Sequence, residues 1–367
     1  MLASTIKTNN RWRASASLII VTPAAVAGED FKVLMLKRTE ATAIAANQTV
    51  FPGGLLETDA DESVAWLQYF EEFGVTQASL RDLILVSEER PAILAPQGTG
   101  CYDRFFKRSK IWAREITLRL AALRECFEEV GILLCRNQAQ LTQTVEVAQA
   151  AQLEHDFLKT WQARVHRNPS DFLELFRQLK VVPDLWALHE WSAWATPAFV
   201  NKRYETVFYM VFLHTQPTLL AEPIEVMECL WRSPLELLCL HQAQKLFFLP
   251  PQIYELGRLL SIKDYQKLCN FASQRTQLGS TMFMPVGYIC SDGMVFVLPG
   301  DDFYVLEPHL ATEPIQFSGT VAELNARTKR LHRYQSKETN EFQILINIPS
   351  LNGHLVPKQL PTPVHKL

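Results

Sequence analysis

Short apolar runs typical of β-strands are spread along the whole chain. They are rich in Val, Ile and Leu and are bounded by polar or turn-forming residues, as buried strands are. The stretch from Trp191 to Leu213 contains two such runs, joined by a polar turn around Asn201, Lys202 and Arg203. The other predicted strands are residues 14–22, 31–37, 282–289, 293–298 and 302–306.

Longer stretches, in which apolar residues recur every three or four positions, predict helices. These stretches are residues 60–72, 76–86, 111–130, 143–165, 170–180, 234–247 and 250–273. Because strands and helices alternate along the chain, the pattern favours an α/β fold.

Length and charge narrow the class of protein further. The chain has 367 residues, which suggests one large domain or two ordinary ones at roughly 150 residues each. Its 48% hydrophobic and 20% charged residues exclude a disordered chain. A net charge of −3 argues against a nucleic-acid binder that relies on bulk positive charge. No apolar run reaches the roughly 18 residues that span a bilayer, so we expect no membrane span.

The helix predicted over residues 111–130 carries apolar residues on one side and three carboxylates on the other. Glu125, Glu128 and Glu129 are neighbours at spacings of three and four, and Gly131 follows as a helix stop. The apolar stripe consists of Ile116, Leu120, Leu123, Phe127 and Val130. One interpretation is an ordinary amphipathic helix with a solvated acidic face.

The other interpretation is a cation site, because three carboxylates on one patch repel each other. In a partly buried cleft they need a counter-charge, and a hard divalent cation such as Mg²⁺ prefers carboxylate oxygens and keeps waters for a phosphate-bearing substrate. Arg124 can orient one carboxylate through a bidentate fork. Upstream, Phe51-Pro52-Gly53-Gly54 is a sharp break, where glycine allows a ligand to approach closely.

These residues carry a resemblance to a known family. The run Arg124-Glu125-Cys126-Phe127-Glu128-Glu129-Val130-Gly131-Ile132 resembles the second half of the Nudix box, R-E-U-x-E-E-x-G-U. Gly54 matches the opening glycine of that box, and Glu57 stands where many members carry an acid. The glutamate expected six residues after the glycine is replaced by Ala60, flanked by Asp59 and Asp61 as candidate substitutes.

The two halves of the box are far apart, because 70 positions separate Gly54 from Arg124, where about 14 are usual. Such a split box resembles the Nudix-19 group, whose members are described as coenzyme A diphosphatases. The supporting stretches are Arg11-Trp12-Arg13, Glu190-Trp191-Ser192 to Thr196-Pro197, and Leu298-Pro299-Gly300-Asp301.

The resemblance implies a Nudix α/β/α sandwich with a mixed sheet, mostly helical insertions and a C-terminal extension. The implied Nudix domain covers residues 10–242, with an insertion at about 60–115 that serves as a lid or a dimer contact. Residues 1–9 would be an N-terminal extension, and residues 243–367 a C-terminal extension packed on the core.

The resemblance also implies a metal-dependent diphosphatase. Its substrates would be coenzyme A and acyl-coenzyme A, and its products 3′,5′-ADP and 4′-phosphopantetheine or its acyl form. Mg²⁺ or Mn²⁺ is the implied cofactor. The implied metal ligands are Glu125, Glu128, Glu129 and Glu57, and the implied catalytic residues are Arg124, Glu125, Glu128 and Glu129.

The implied substrate-binding residues are Arg38, Gly53 and Gly54. Arg38 stands 13 residues before Phe51, where a coenzyme A signature of related hydrolases has an arginine. The second arginine and the glycine of that signature are absent, since Ala43 and Asn47 occupy their places. Arg38 is therefore either a contact for a substrate phosphate or a charge that flanks a strand end.

Two other readings of function stay open at this stage. One keeps the Nudix hydrolase but changes the substrate to ADP-ribose, a nucleotide sugar or another nucleoside diphosphate derivative. The other is a catalytically inactive Nudix binding module. The general base is also open: Glu225 and Glu228 are candidates, although a solvent-facing charged loop is the preferred interpretation of both. Trp191, Trp194 and Tyr204 could stack on adenine, but we expect them to fill a core.

The C-terminal tripeptide His365-Lys366-Leu367 resembles the peroxisomal address Ser-Lys-Leu, with His at the first place. The N-terminal segment contains basic residues and no acid before Glu29, which suits either a short extension or a mitochondrial presequence. We therefore expect a peroxisomal protein, with the mitochondrion or cytoplasm as alternatives.

Overall fold

A computed structural model describes residues 12–24, 30–40, 46–84, 94, 113–142, 147–336 and 342–360. Its strands are β1 (Arg13–Pro23), β2 (Phe31–Arg38), β3 (Thr49–Val50), β4 (Gly53–Leu55), β5 (Cys135–Arg136), β6 (Val182–Pro183), β7 (His189–Ala195), β8 (Tyr204–Phe212), β9 (Val226–Arg232), β10 (Met282–Phe283), β11 (Val286–Cys290), β12 (Gly293–Val297), β13 (Ile315–Gln316), β14 (His332–Ser336) and β15 (Phe342–Ile346). Its helices are α1 (Thr58–Asp61), α2 (Ala65–Glu72), α3 (Gln77–Leu80), α4 (Arg114–Val130), α5 (His155–Arg167), α6 (Asp171–Leu179), α7 (Pro234–Gln242), α8 (Pro250–Leu259), α9 (Tyr265–Thr276) and α10 (Val321–Ala326).

The larger sheet is built around β1, which is buried along almost its whole length. Strand β1 runs parallel to β8 and antiparallel to β2 and β4, while β9 pairs with β2. The path through the sheet is β10-β7-β8-β1-β2-β3. Because it combines parallel and antiparallel pairs, the sheet is mixed, and the predicted α/β class with a mixed sheet is confirmed.

Alternate residues of β1 face two different apolar layers, as the two-residue period of a strand requires. Leu18 and Ile20 belong to the layer that contains α4, and Ile19 and Val21 belong to the layer that contains α8 and α9. The sheet is therefore covered on both faces. This explains why β1 reads as a continuous apolar run and not as an alternating one.

A smaller sheet follows, in the order β13-β11-β12-β14-β15. Its own apolar cluster is formed by Val286, Val295, Val297, Val321 and Leu324 among others, so that α10 packs on it. Tyr334 of β14 instead joins the layer around α8 and α9. The smaller sheet therefore shares apolar contacts with the larger one.

Helix α4 is the central helix, and of its residues only Glu125 is not fully buried. The residues of the predicted apolar stripe are each 2% exposed or less. Gly131 ends the helix with φ of 74° in the left-handed region, and its N–H donates to the carbonyl of Phe127. The interpretation of α4 as an amphipathic helix with a solvated acidic face is wrong, since Glu128 and Glu129 are buried too.

Several predicted helices are shorter or divided. The helix predicted over 143–165 begins only at His155, where the Glu154 carboxylate caps the first turn, and Ala148 instead bridges to Leu213. The stretch 250–273 divides into α8 and α9 because Asp264 accepts the Lys267 N–H and starts a new helix. The stretch 60–72 divides into α1 and α2, although no side chain caps the start of α2.

The strand predicted over 302–306 is wrong. Asp301 accepts the N–H of Phe303, and the N–H of Tyr304 donates to the carbonyl of Asp301, so the segment is a turn. The strands β14 and β15 and the helix α10 all lie after residue 306, where the sequence pattern predicted neither strands nor helices. The other predicted strands are present, with 282–289 divided into β10 and β11.

Some predictions concern residues outside those described. They include residues 1–9, the tripeptide His365-Lys366-Leu367, and residues 85–93 and 95–112 of the predicted insertion. Within the described residues, no helix combines the length and the apolar character that crossing a membrane requires.

Candidate active site

The two glycines of Phe51-Pro52-Gly53-Gly54 lie where β4 passes between β1 and the end of α4. A Cβ atom on Gly54 would lie 2.4 Å from the Glu125 carboxylate, so the missing side chain leaves the room that this carboxylate occupies. A Cβ atom on Gly53 would lie 2.3 Å from the carbonyl oxygen of Ala16 in β1. The Gly53 N–H donates to Glu129 at 2.8 Å. Both glycines are therefore required by the close approach of other protein atoms, and their predicted role in binding a substrate stays a prediction.

Arg124 is the centre of a buried cluster of carboxylates. Its Nε and Nη2 form a bidentate fork with Asp61 at 2.8 and 2.9 Å. Its Nη1 donates to Glu125 at 2.9 Å and to Glu128 at 2.8 Å. Nη2 also donates to the carbonyl of Leu55 at 2.8 Å, which ties the helix to β4. One guanidinium therefore fixes three carboxylates, as the predicted role of Arg124 requires.

Asp61 occupies the place of the missing box glutamate. Ala60 is buried and apolar, and Asp59 is exposed, whereas the side chain of Asp61 is 2% exposed and contacts Arg124. Asp61 also accepts the N–H of Glu57 at 2.8 Å. The sequence left Asp59 and Asp61 as equal candidates, because only the single turn of α1 decides which of them points at Arg124.

The carboxylates of α4 are held in a poorly solvated environment. Burial is the largest cause that raises the pKa of Glu128 and of Glu129 from the ordinary 4.5 to about 8. Burial also raises the pKa of Glu125, and the nearby charges of Asp61 and Glu225 raise it further. Arg124 and Arg38 offset this only in part. The cluster therefore carries an excess of negative charge that favours binding a proton or a cation.

Arg38 lies at the end of β2 and joins two carboxylates that are distant in sequence. Its Nη1 contacts Glu129 at 2.5 Å, and its Nη2 contacts Glu225 at 2.6 Å. The Arg38 side chain is 10% exposed, so it is more than a charge flanking a strand end. Its position beside the box carboxylates is compatible with the predicted contact to a substrate phosphate.

Glu225 lies at the site, although the sequence pattern favoured a solvent-facing loop over its candidate role as general base. It precedes β9, and the pairing of β9 with β2 brings it to Arg38. The solvent-facing interpretation is therefore wrong for Glu225, whose side chain is 32% exposed and ion-paired. Glu228 is exposed, as expected, but it lies in β9 and not in a loop. Because the sequence pattern predicted no strand over residues 226–232, it gave no signal that places Glu225 beside Arg38.

A cavity of about 610 Å³ opens beside this cluster. One end is charged and is lined by Arg38, Glu57, Glu125 and Glu225, with Gly53 and Gly54 beside them. Glu57 is exposed at the rim of this end. The other end is apolar and is lined by Leu249, Pro250, Pro251, Pro285, Phe296 and Tyr334. Trp194 and Tyr204 also line the cavity, although Trp194 is 3% exposed and packs in the core as expected.

The donor chemistry of the charged end fits a hard divalent cation. Carboxylates are the ligands that such a cation prefers, and burial has raised the pKa of Glu125 and of the neighbouring Glu128 and Glu129, which a cation would reverse. Among the described residues, no three His, Cys, Asp or Glu side chains are grouped as a preformed metal site. In this conformation Arg124 and Arg38 instead engage the carboxylates of Glu125, Glu128 and Glu129.

Comparison with known proteins places the chain among characterised families. A model of the NUDT19 Nudix domain matches residues 12–259, and a model of the NUDT19 C-terminal domain matches residues 287–347. Three similar proteins are each named acyl-coenzyme A diphosphatase NUDT19. The Xenopus laevis protein is 32% identical over 89% of this chain and 86% of its own length. The Gallus gallus protein is 30% identical over 96% of both chains, and the Homo sapiens protein 28% identical over 95% of both.

Proposed function

The chain belongs to the NUDT19 family of Nudix hydrolases, and we propose that it hydrolyses the diphosphate linkage of coenzyme A and acyl-coenzyme A. Its products are 3′,5′-ADP and 4′-phosphopantetheine or its acyl form. The observation that carries the proposal is the Arg124 cluster, which lies at the charged end of a cavity with Glu125 on its wall. The names of the three relatives support the choice of substrate.

Hydrolysis adds water across the P–O–P linkage. A bond forms between the water oxygen and one phosphorus, and the bond from that phosphorus to the bridging oxygen breaks. Each half of the substrate then carries a phosphate monoester, and the proton of the attacking water passes to a base. Glu125 and Glu225 both line the cavity and are the candidate bases.

Nudix diphosphatases use a divalent cation, and we propose Mg²⁺ or Mn²⁺ for this enzyme, held by Glu125, Glu128 and Glu129 with Glu57 at the rim. When bound, such a cation neutralises charge on the diphosphate and lowers the pKa of a bound water. Arg124 positions Glu125 and Glu128 through its two contacts from Nη1. The Gly53 N–H positions Glu129.

Arg38 is proposed to bind a substrate phosphate from its place between Glu129 and Glu225. A guanidinium there offsets the repulsion between box carboxylates and an anionic substrate. Gly53 and Gly54 also line the cavity, and their backbones are proposed to lie next to the bound diphosphate.

The test is to incubate the purified chain with coenzyme A and Mg²⁺ or Mn²⁺ and to separate the products by chromatography. We expect 3′,5′-ADP and 4′-phosphopantetheine in equal amounts, and none of either with a chelator. A well-folded protein that binds Mn²⁺ and leaves coenzyme A intact would contradict the proposed substrate. Turnover of ADP-ribose or a nucleotide sugar by that protein would then identify the alternative.

We also propose a peroxisomal location, on the resemblance of His365-Lys366-Leu367 to a peroxisomal address. A fluorescent reporter that carries these C-terminal residues would accumulate in peroxisomes. A diffuse or mitochondrial signal would contradict the proposal.

A further inference from the structure

The apolar end of the cavity is lined by residues that follow β9 in the chain. Phe296 of β12 and Tyr334 of β14 are register partners in the smaller sheet. Their rings are stacked, with centroids 4.8 Å apart and an angle of 13° between the planes. Leu249 and Pro250, at the start of α8, complete this wall. The NUDT19 C-terminal domain therefore contributes directly to the cavity that contains the box glycines.

Gln252, in the first turn of α8, is a polar exception within this apolar wall. It lines the cavity, and the residue is 6% exposed. Within the described part of the chain, its Oε1 has no hydrogen-bond partner. A buried amide oxygen without a partner is costly, so Oε1 is expected to accept a hydrogen bond from a water or a ligand in the cavity. Gln252 therefore points to a ligand with a hydrogen-bonding group in an otherwise apolar portion.

Resting on the proposed function, we propose that this wall and Gln252 bind the pantetheine arm of the substrate together with its acyl group. The diphosphate lies at the charged end, so the two halves of the substrate extend from there. The pantetheine half combines methyl and methylene groups with two amides, and an acyl group adds more methylenes. An apolar wall that contains one unsatisfied amide complements this chemistry.

Adenine is the competing occupant, because aromatic rings stack on bases. Stacking requires a free ring face. The ring of Tyr334 already stacks on the ring of Phe296. The ring of Phe199 also lies against that of Phe296, with centroids 6.3 Å apart. The flat faces of Phe296 are thus largely used within the protein, which favours the aliphatic arm over adenine.

The test uses the two products as separate inhibitors, because each is one half of the substrate. The variants are Phe296→Ala and Gln252→Leu, and Phe317→Ala is the matched control. Phe317 is a half-buried phenylalanine of the same C-terminal region that does not line the cavity. We expect the inhibition constant of 4′-phosphopantetheine to rise about three- to tenfold in the two variants, the effect of a lost hydrogen bond or apolar contact. The constant for 3′,5′-ADP should change less than twofold.

The acyl group is tested with the same variants. The ratio of kcat/KM for hexanoyl-coenzyme A to kcat/KM for coenzyme A should fall about tenfold in Phe296→Ala, through KM, because several methylenes lose their contacts. Phe317→Ala should leave the ratio unchanged. Gln252→Leu keeps the side-chain volume, so it tests the wall even where Phe296→Ala fails to fold.

The failures of the two proposals are distinguishable. If the unaltered chain hydrolyses coenzyme A but Gln252→Leu leaves the inhibition by 4′-phosphopantetheine unchanged, the inference about the wall is overturned and the proposed function stands. Weaker inhibition by 3′,5′-ADP alone would assign this end to adenine and also overturn the inference. If the unaltered chain leaves coenzyme A intact, the proposed function fails, and the inference fails with it.

Discussion

Two buried arginine–carboxylate forks in this chain differ in their balance of charge. In the C-terminal region, Arg333 forms a fork with Asp301 at 2.7 and 2.5 Å, and its other nitrogen contacts are to Asn325 and Thr328. One cation meets one anion there. Arg124 forms a fork with Asp61 at 2.8 and 2.9 Å but also binds the carboxylates of Glu125 and Glu128.

This difference in charge balance distinguishes a fork that stabilises the fold from a fork that lies at the candidate active site. Asp301 also accepts the N–H groups of His332 and Phe303, so the Leu298-Pro299-Gly300-Asp301 stretch connects a turn to β14. Its contacts are complete within the protein. The Arg124 cluster has more anions than cations and lies against a cavity, where burial alone would make it unfavourable. Such an excess is retained where a bound cation offsets it.

The largest expected effect is on catalysis, among the α4 carboxylates where negative charge is in excess. Glu129→Gln should lower kcat with coenzyme A and Mn²⁺ by on the order of a thousandfold. The variant loses a proposed ligand of the cation, and such a cation stabilises the transition state by several kcal/mol. Glu228→Gln is the matched control, since Glu228 is exposed. Steady-state release of 3′,5′-ADP measures both. Equal rates in the two variants would remove the distinction between the forks.

The next effect is on stability and should be shared by both forks. Asp301→Ala leaves the buried Arg333 guanidinium without a carboxylate and should lower the free energy of unfolding by about 3 to 5 kcal/mol. Asp61→Ala leaves Arg124 with Glu125 and Glu128 and should lower it by about 1 to 3 kcal/mol. Asp59→Ala, beside Asp61 but exposed, should change it by about 0.5 kcal/mol or less. Chemical denaturation provides the measurement. A neutral Asp61→Ala would mean that Arg124 does not depend on this fork.

Substitutions of the two box glycines are expected to differ in their effects on stability and on activity. At Gly53 an added Cβ would meet the backbone of Ala16, which cannot move away, so Gly53→Ala should cost roughly 1 to 3 kcal/mol of stability. At Gly54 it would meet the end of the flexible Glu125 side chain, so Gly54→Ala should displace that carboxylate. We expect Gly54→Ala to lose activity while its thermal stability changes little. Thermal melts and product assays on both variants provide the measurement. A loss of stability without a loss of activity in Gly54→Ala would contradict the prediction.

The smallest expected effect is a dependence on pH. The folded pKa of Glu128 and Glu129 is raised by burial from 4.5 to about 8, so the folded protein keeps protons that the unfolded chain releases. This contribution to stability is present below about pH 4.5 and is lost as the pH rises towards 8. With a chelator present, Tm should therefore fall as the pH rises from about 4.5 to about 8. The fall should be less steep in Glu129→Gln. A slope that is equal in both proteins would contradict the assignment.

The sequence predicted the local parts of the fold and site. The apolar stripe of α4 and its glycine stop follow from spacing along one segment, and the structure places them as predicted. The turn at Asp301 was read as a strand because its apolar residues resemble one. Only the side-chain contacts of Asp301, including those to the distant Arg333, distinguish the two.

The parts that the sequence could not predict depend on long-range pairing. Glu225 reaches the site because β9 pairs with β2, and Phe296 reaches the cavity because the smaller sheet packs beside the larger one. The choice of Asp61 over Asp59 depends on a single helical turn. No pattern within one segment carries this information, since each case is decided by what the segment contacts.

The central claim is that the charge excess around Arg124 is a site for a divalent cation. Titration of the purified chain with Mn²⁺ at about pH 8 by calorimetry tests it most directly, because binding requires deprotonated carboxylates. The account predicts saturable binding that is abolished or weakened by at least tenfold in Glu129→Gln and unchanged in Glu228→Gln. Absence of binding to the unaltered chain, or equal affinity in all three proteins, would contradict it.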